Sequence, residues 1–350
     1  RAIVPAFNNY PAGVTDFDAV ANAIINLGPG TAQNLAVNEL GSEISPDLLS
    51  ASRDDVRNQL GGFTQQLAER PAAGGGGPND PFWLQGVGRF GSTSSDGNAH
   101  GFSETTGGIA GGVQRDFGAA TLGGSVSYDQ NWLSLKGLPQ RGNVADTSLG
   151  VYGEERFGTL FADLGGLVGF DHASVKRLIA APGVSRQASG SFDGLSAGVV
   201  GLVGDRFALS DGFTLEPHVG LEWNHVEQDG YTEAGAGGAN LAVAGESQDA
   251  VQSLLGARVS RVFGGGLSGD ASLDWAHDFD DLTPRAAQSF AGVAGTGFTI
   301  VGVNPGRDAA VLHAGLNYRT SRITFYARYD GSFSNRADDN AVTGGLKIAF

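Results

Sequence analysis

Cysteine is absent from the 350 residues. A chain that crosses an oxidising compartment, or is exported unfolded, gains from having no thiols to cross-link; cytosolic proteins are often poor in cysteine too, so both settings fit. Charge is scarce, at 17% Asp, Glu, Lys and Arg, below the ~25% of an average soluble protein. Yet no stretch approaches the ~18 unbroken apolar residues of a transmembrane helix. The hydrophobic 41% is dispersed, which disfavours a helical membrane protein and leaves a soluble β protein or a membrane β-barrel. The net charge is −15, and the 22 basic residues form no patch, so a nucleic-acid backbone would be repelled. The 57 glycines show no period of three, which excludes collagen; in strands they suit a closely packed barrel wall. The sequence opens at Arg1 without the features of a secretory leader, so the start of an exported product would lie upstream.

The pattern changes near residue 78: helical spacing precedes it and a period of two follows. Asp16 to Asn26 and Thr31 to Leu40 read as short helices split by Gly28-Pro29-Gly30. A stronger helix follows, with Ser45 as N-cap, Pro46 at the first helical position and Asp47 complementing the dipole. Leu49, Val56, Leu60, Phe63 and Leu67 recur at helical spacing. A run to Arg70 spans ~36 Å, enough to cross a pore of bilayer height. The opposite face carries Arg53, Asp54, Arg57, Asn58 and Gln65, so it cannot meet lipid. Gly61-Gly62 weakens the helix locally; Pro71 and the glycines from Gly74 to Gly77 end it in a linker.

From Asp80 onward short alternating segments succeed one another. Ile323, Phe325, Ala327, Tyr329, Gly331 and Phe333 share one face, against Thr324, Tyr326, Arg328, Asp330 and Ser332 on the other. Twelve such segments are counted, at roughly 80–90, 104–116, 118–131, 141–157, 159–174, 188–206, 213–226, 247–262, 267–280, 308–319, 322–333 and 340–350. Connections after even strands read as tight and those after odd strands as longer, the longest near 281–307. That alternation predicts an all-β fold: a 12-stranded antiparallel transmembrane barrel with a helix in its lumen. The sixth strand is ambiguous, since Val199, Val200, Leu202 and Val203 fit neither face. Parity places Arg89, Glu154, Asp163, Asp171, Glu216, Glu222, Arg258, Asp270, Asp274, Arg328, Asp330 and Lys347 inside.

At this point the sequence resembles the autotransporter (type V secretion) C-terminal β-domain. The resemblance rests on the helix from Pro46, the opening strand Phe82-Trp83-Leu84-Gln85-Gly86, the run Leu215 to Trp223, the segment Ala271 to Asp281, Gly297-Phe298-Thr299-Ile300, Arg307-Asp308-Ala309-Ala310, Tyr329-Asp330-Gly331 and the final strand closing on Phe350. It implies an outer-membrane translocator of a Gram-negative bacterium that exports its own upstream passenger in cis and is then plugged by the helix. Residues 1–44 would be the passenger-proximal segment, 45–79 the pore helix and linker, and 80–350 the barrel. Val342, Leu346, Ile348 and Phe350 resemble the signal read by the barrel-assembly machinery, with periplasmic chaperones and outer-membrane lipid as further partners. Arg53 and Arg57 are expected within reach of inward acids such as Glu154, Glu216 or Glu222, with the apolar stripe on the glycine- and alanine-rich side of the wall.

Other chemistry is weakly signalled. Gly86-Val87-Gly88-Arg89-Phe90-Gly91 matches a dinucleotide fingerprint, but no helix follows it. His100, His172, His218, His225, His277 and His313 lack metal-ligand spacing, so neither metal nor cofactor is expected. A barrel protease would need His and Asp clustered at the loop end, and only His225 and His172 are conceivable there. Asn8-Asn9 matches the paired asparagines at which some passengers are released, but lies far upstream of the pore helix. No enzyme is expected; a general diffusion porin or a barrel-type outer-membrane protease are the alternatives.

Overall fold

A computed structural model describes residues 3–10, 13, 15–68 and 82–349. The alternating segments form strands β1 (Phe82–Thr93), β2 (Phe102–Asp116), β3 (Ala120–Leu135), β4 (Gln140–Phe157), β5 (Leu160–Ala181), β6 (Val184–Asp205), β7 (Phe213–Gln228), β8 (Glu246–Gly264), β9 (Leu267–Asp278), β10 (Asp308–Arg319), β11 (Ile323–Ser334) and β12 (Ala337–Ile348). Each pairs antiparallel with its sequence neighbours. β1 pairs with β12 through the register Phe82↔Ile348 to Thr93↔Ala337, which closes the twelve strands into a barrel. Closure leaves no unpaired edge, the condition for a sheet to sit in lipid.

The outer face is apolar in a broad band, with exposed Leu84, Ile109, Val126, Leu149, Val151 and Leu273. Exposed aromatics stand near both rims of that band: Phe117, Phe157, Phe207, Phe263 and Tyr318 at one end, and Phe90, Trp132, Phe170, Trp223 and Trp275 toward the other. Such girdles mark the two membrane interfaces.

Turns at the first rim are short, as at 158–159 and 265–266; the first uses Gly158 with φ 70°, a left-handed geometry that favours glycine. The exception on this rim is 206–212, which includes a short strand at Phe207–Ala208. The expectation that every odd connection is long needs correction. The loops after β3, β5 and β11 are only 136–139, 182–183 and 335–336, because the flanking strands run on past the membrane band. β5 and β6 reach 22 residues each and form a ribbon projecting from the second rim. The sixth strand is thereby resolved: Val200 and Leu202 point in, while Val199 and Val203 point out. Its inner face is apolar because it meets a helix rather than water.

The loops after β7 and β9 are structured. Tyr231–Thr232, Leu241–Val243, Arg285–Phe290 and Phe298–Val301 form a separate four-stranded sheet over the second rim. Against it pack α1 (Ile3–Asn8), which the sequence pattern missed, α2 (Thr15–Ile25) and α3 (Thr31–Asn38). Ile3, Phe17, Val20 and Ile24 join Leu241 and Phe290 in one apolar core. Tyr10 stacks on Phe17 at 3.7 Å between ring centroids, and Phe17 meets Phe290 at 4.7 Å. The long helix α4 (Ile44–Ala68) then enters the barrel. The expected helix end at Arg70, the Gly74–Gly77 linker, the first strand residue Asp80 and Phe350 lie outside the described residues.

Candidate functional site

The α4 helix runs down the lumen with one face against the wall. Leu49, Val56, Leu60, Phe63 and Leu67 are buried in a cluster with Trp83, Tyr152, Leu167, Val200 and Val226. Phe63 stacks on Tyr152 at 5.2 Å, and the Trp83 indole N–H donates to the Tyr152 hydroxyl at 2.8 Å. The stripe lies on wall glycines. A Cβ added at Gly150 would stand 2.3 Å from Phe63 Cζ, and one at Gly198 would stand 2.6 Å from Val56 Cγ1. Spacing of 3.6 residues per turn carries the stripe along one side of the helix, and bare backbone opposite lets it approach closely.

The other face of α4 is polar. Arg57 donates through both terminal nitrogens to Asp278, and its Nε lies 3.5 Å from Glu222. Asn58 donates to Asp339 Oδ2 at 3.0 Å, and Gln65 donates to Asp330. Arg89 of β1, only 3% exposed, reaches Asp55 at 3.4 Å. A cavity of about 260 Å³ remains between this polar face and the walls around β1 and β11, lined in part by Arg57, Arg89, Arg328 and Asp330. The helix therefore occupies the lumen asymmetrically: its apolar stripe lies against β4 to β7, and the roomier side faces β1 and β11.

Of the expected charge contacts, that of Arg57 with Glu222 forms, and the others do not among the described residues. Arg53 pairs with its own neighbour Asp54 at 3.0 Å and with Gln248 at 3.3 Å, not with a wall acid. Among the described residues, Glu154 and Glu216 pair away from Arg53 and Arg57. Both bind Arg206 near the short-turn rim, Glu216 at 2.8 Å, and Glu154 also accepts from Arg156. Their strand positions put them at a different height from Arg57, which parity alone cannot tell. The remaining inward residues pair within the wall: Arg258 with Asp270 at 3.7 Å, His218 with Asp274 at 2.5 Å, and His313 between Asp270 and Asp330 at 3.0 and 2.8 Å. Arg328 lies over the Tyr326 ring at 4.3 Å. Asp163 and Asp171 are buried on the same face, and Lys347 lies 5.7 Å from the Tyr326 ring. Val342 points outward, and Leu346 and Ile348 share its parity. His172 and His225 pair with Asp193 and Asp249 on their neighbouring strands and do not come together.

At the second rim the chain is gripped where it enters the pore. Gln140 accepts the Ile44 N–H at 3.2 Å and donates to Gly41 O at 2.8 Å; Gln288 accepts the Ser42 N–H at 3.0 Å and donates to Ser42 O at 2.8 Å. Sequence reasoning missed both glutamines, since nothing in their local pattern marks them. Ser45 is not the N-cap: α4 begins at Ile44, and the Ser45 hydroxyl meets those of Ser42 at 2.7 Å and Tyr231 at 2.6 Å. Burial pushes the Tyr231 phenol up to about 12, with the Ser45 hydroxyl acting in the opposite sense. Further out, Arg177 holds Glu233 and Glu39 O, and Arg186 holds Asp16 at 2.8 Å. The Arg186 hydrogen bond and the Gly238 N–H hold the Asp16 carboxyl below its ordinary value. The Asn8-Asn9 pair lies in this outer region, at the end of α1, and not in the lumen.

Known proteins share this fold. The model of the autotransporter beta-domain matches residues 82–330. An extracellular serine protease of Serratia marcescens is 26% identical over 335 residues, which cover 93% of this chain and 32% of that protein. The chain thus spans about a third of the length of this relative. Among solved structures, the translocator domain of the autotransporter NalP from Neisseria meningitidis superposes with a TM-score of 0.68 at 16% identity, covering 86% of this chain and 97% of that one. The beta domain of the Bordetella autotransporter BrkA gives 0.53 at 19% identity, with 78% and 100% covered. A closed barrel of twelve strands preceded by a helix, matched over most of its length by this family's model, identifies the chain as a member of the autotransporter family, carrying its outer-membrane translocator β-domain.

Proposed function

We propose that the barrel exports its own upstream passenger and that α4 afterwards closes the pore. The observation that carries this reading is the direction of threading. The N-terminal end of α4 is held at the loop rim by Gln140 and Gln288, while its C-terminal end approaches Trp83, Gln85 and Tyr326 near the start of β1. A chain so threaded has its preceding residues on the loop side and its following residues on the short-turn side, as an exported segment would after passage. On this reading residues 1–44 are the last stretch adjoining the passenger, 45–79 the plug and linker, and 80–350 the translocator.

The chain would act on its passenger by conduction and closure, without a catalytic step of its own. Val342, Leu346, Ile348 and Phe350 would be the strand that the assembly machinery reads, after periplasmic chaperones deliver the unfolded barrel to outer-membrane lipid. Single-channel recording tests the plug. Removal of residues 1–73 raises conductance sharply if α4 closes the path; a small change would favour a general porin. Deletion of Phe350 tests the assembly role and is expected to lower the amount of barrel in the outer membrane.

A further inference from the structure

Three aspartates stand in one row across the wall. Asp129 of β3 is in register with Asp146 of β4, and Asp146 with Asp171 of β5. All three are inward and buried. From the helix, Asp55 meets the row, and single carboxylate oxygens of Asp55, Asp129 and Asp146 lie within 4.8 Å of one another. Like charges directly opposite each other destabilise a sheet, and a fourth carboxylate worsens the repulsion. Compensation is thin. Arg89 reaches Asp55 at 3.4 Å but also faces Asp339 at 3.8 Å. The Gln59 amide nitrogen faces Asp55, Asp146 and Asp129 at 3.0, 3.1 and 3.4 Å, and an amide has only two protons to give. The Ser148 hydroxyl serves Asp146 alone.

A second observation comes from Asn131, which lines the same cavity and is 5% exposed. Its amide nitrogen donates to Glu104 at 3.2 Å, while its Oδ1 has no hydrogen-bond partner among the described residues. Asp146 Oδ2 and Asp171 Oδ2 are likewise buried, with each other and the Ser52 hydroxyl beside them. A buried acceptor without a donor costs about 1–3 kcal/mol, and here the Asn131 Oδ1 shares one space with these carboxylates. That space is a cavity of about 10 Å³, near the ~10–15 Å³ that one water-sized occupant needs.

We propose that this cavity is a binding site for a hard divalent cation of the calcium class. The donors are all oxygen: four carboxylates and the Asn131 carbonyl, from three adjacent strands and the helix. Such a set suits calcium, which takes six to eight oxygens in flexible geometry, and lacks the nitrogen and sulfur that zinc prefers. A bound ion would neutralise the row and fasten α4 to the wall.

The test is calorimetric titration of calcium into the full chain, folded in detergent micelles and stripped with chelator. One site per chain is expected, with a dissociation constant of about 10⁻⁵ to 10⁻³ M, and a melting temperature that climbs with calcium concentration. Asp129→Asn and Asp146→Asn are each expected to weaken binding about tenfold or more, a loss of about 1.4 kcal/mol or more. Asp193→Asn, which removes an exposed surface charge, leaves it unchanged. Should the lumen variants fail to reach the heat-modifiable folded form, the wild-type titration decides alone. Absence of binding up to about 10 mM calcium, above that range, would overturn the proposal, as would undiminished binding by folded Asn variants. A barrel whose melting temperature responds to acid but not to calcium would show instead that protons neutralise the row.

Discussion

Phe63 lies over Gly150 so closely that a single added carbon at the glycine would stand 2.3 Å from the ring. The lumen is thus shaped for this helix in this rotation and depth, and Gly150 and Gly198 are among its contact points, with Gly142 and Gly165. Gly150→Leu is expected to displace α4 rather than unfold the barrel, at a cost of about 1–3 kcal/mol. Thermal melting in micelles should show the loss, and single-channel current should rise with it. A variant with unchanged current would mean that the contact does not set the seating of the helix.

Among the arginines of α4, Arg57 carries the electrostatic docking. Its side chain is 17% exposed, and its partners Asp278 and Glu222 are each 5% exposed. Removing it leaves two buried carboxylates unpaired, which costs about 3–5 kcal/mol. Arg57→Ala should therefore destabilise strongly, and Asp278→Asn added to it should restore part of the loss. Arg53→Ala is expected to do much less to the docking, because Arg53 is satisfied by its own neighbour Asp54 and by Gln248. Equal effects of the two single variants in a melting series would contradict this division.

Gln140→Ala and Gln288→Ala each abolish two hydrogen bonds to the chain at 41–44. Each leaves buried peptide groups unsatisfied, at about 1–3 kcal/mol per group. The effect should be local. Hydrogen exchange at Ser42 and Ile44 is expected to quicken by one to two orders of magnitude, with the barrel's own melting little altered. Unchanged exchange would show that the grip is held by other contacts.

The outer helices should loosen in acid. Asp16 has a carboxyl held below its ordinary value by Arg186 and the Gly238 N–H. A depressed carboxylate contributes its docking energy above the unfolded value of ~3.9, and loses it as pH falls through the lower folded value. Asp16→Asn should therefore loosen α2 only slightly near neutral pH, as for other exposed ion pairs, and the difference should shrink as pH falls below the unfolded value of ~3.9. Because the chain has no cysteine, a single label at Asn22→Cys can report this by fluorescence anisotropy. A difference that persists undiminished into acid would assign the docking to the Tyr10–Phe17–Phe290 stack instead.

Much of the barrel was legible because a strand with one wet and one lipid face writes its period into the sequence. The inward set Arg89, Glu154, Glu222 and Arg328 followed from parity alone. Height within the lumen does not follow, so parity offers Glu154, Glu216 and Glu222 alike to the helix arginines, whereas Glu222 meets Arg57 and the other two bind Arg206 at the short-turn rim. The sixth strand blurred because Val200 faces an apolar helix, giving two hydrophobic faces. The row Asp129, Asp146 and Asp171 was invisible because register, which no local spacing encodes, brings three separate strands into line. The rim sheet and α1 were missed for the same reason: short elements gain their stability from packing on one another, as Phe17 does on Phe290.

The ribbon of β5 and β6 also settles how the molecule would bear tension. Arg177 and Arg186 sit on its projecting part and hold Glu39 O and Asp16, both upstream of the grip at 41–44. A pull applied at the outer end of the chain meets the packing of Ile3 and Tyr10 first, then Asp16, then Glu39, then the two glutamines, and only afterwards α4. Load is thereby passed into the continuous ladder of a closed sheet before it reaches α4.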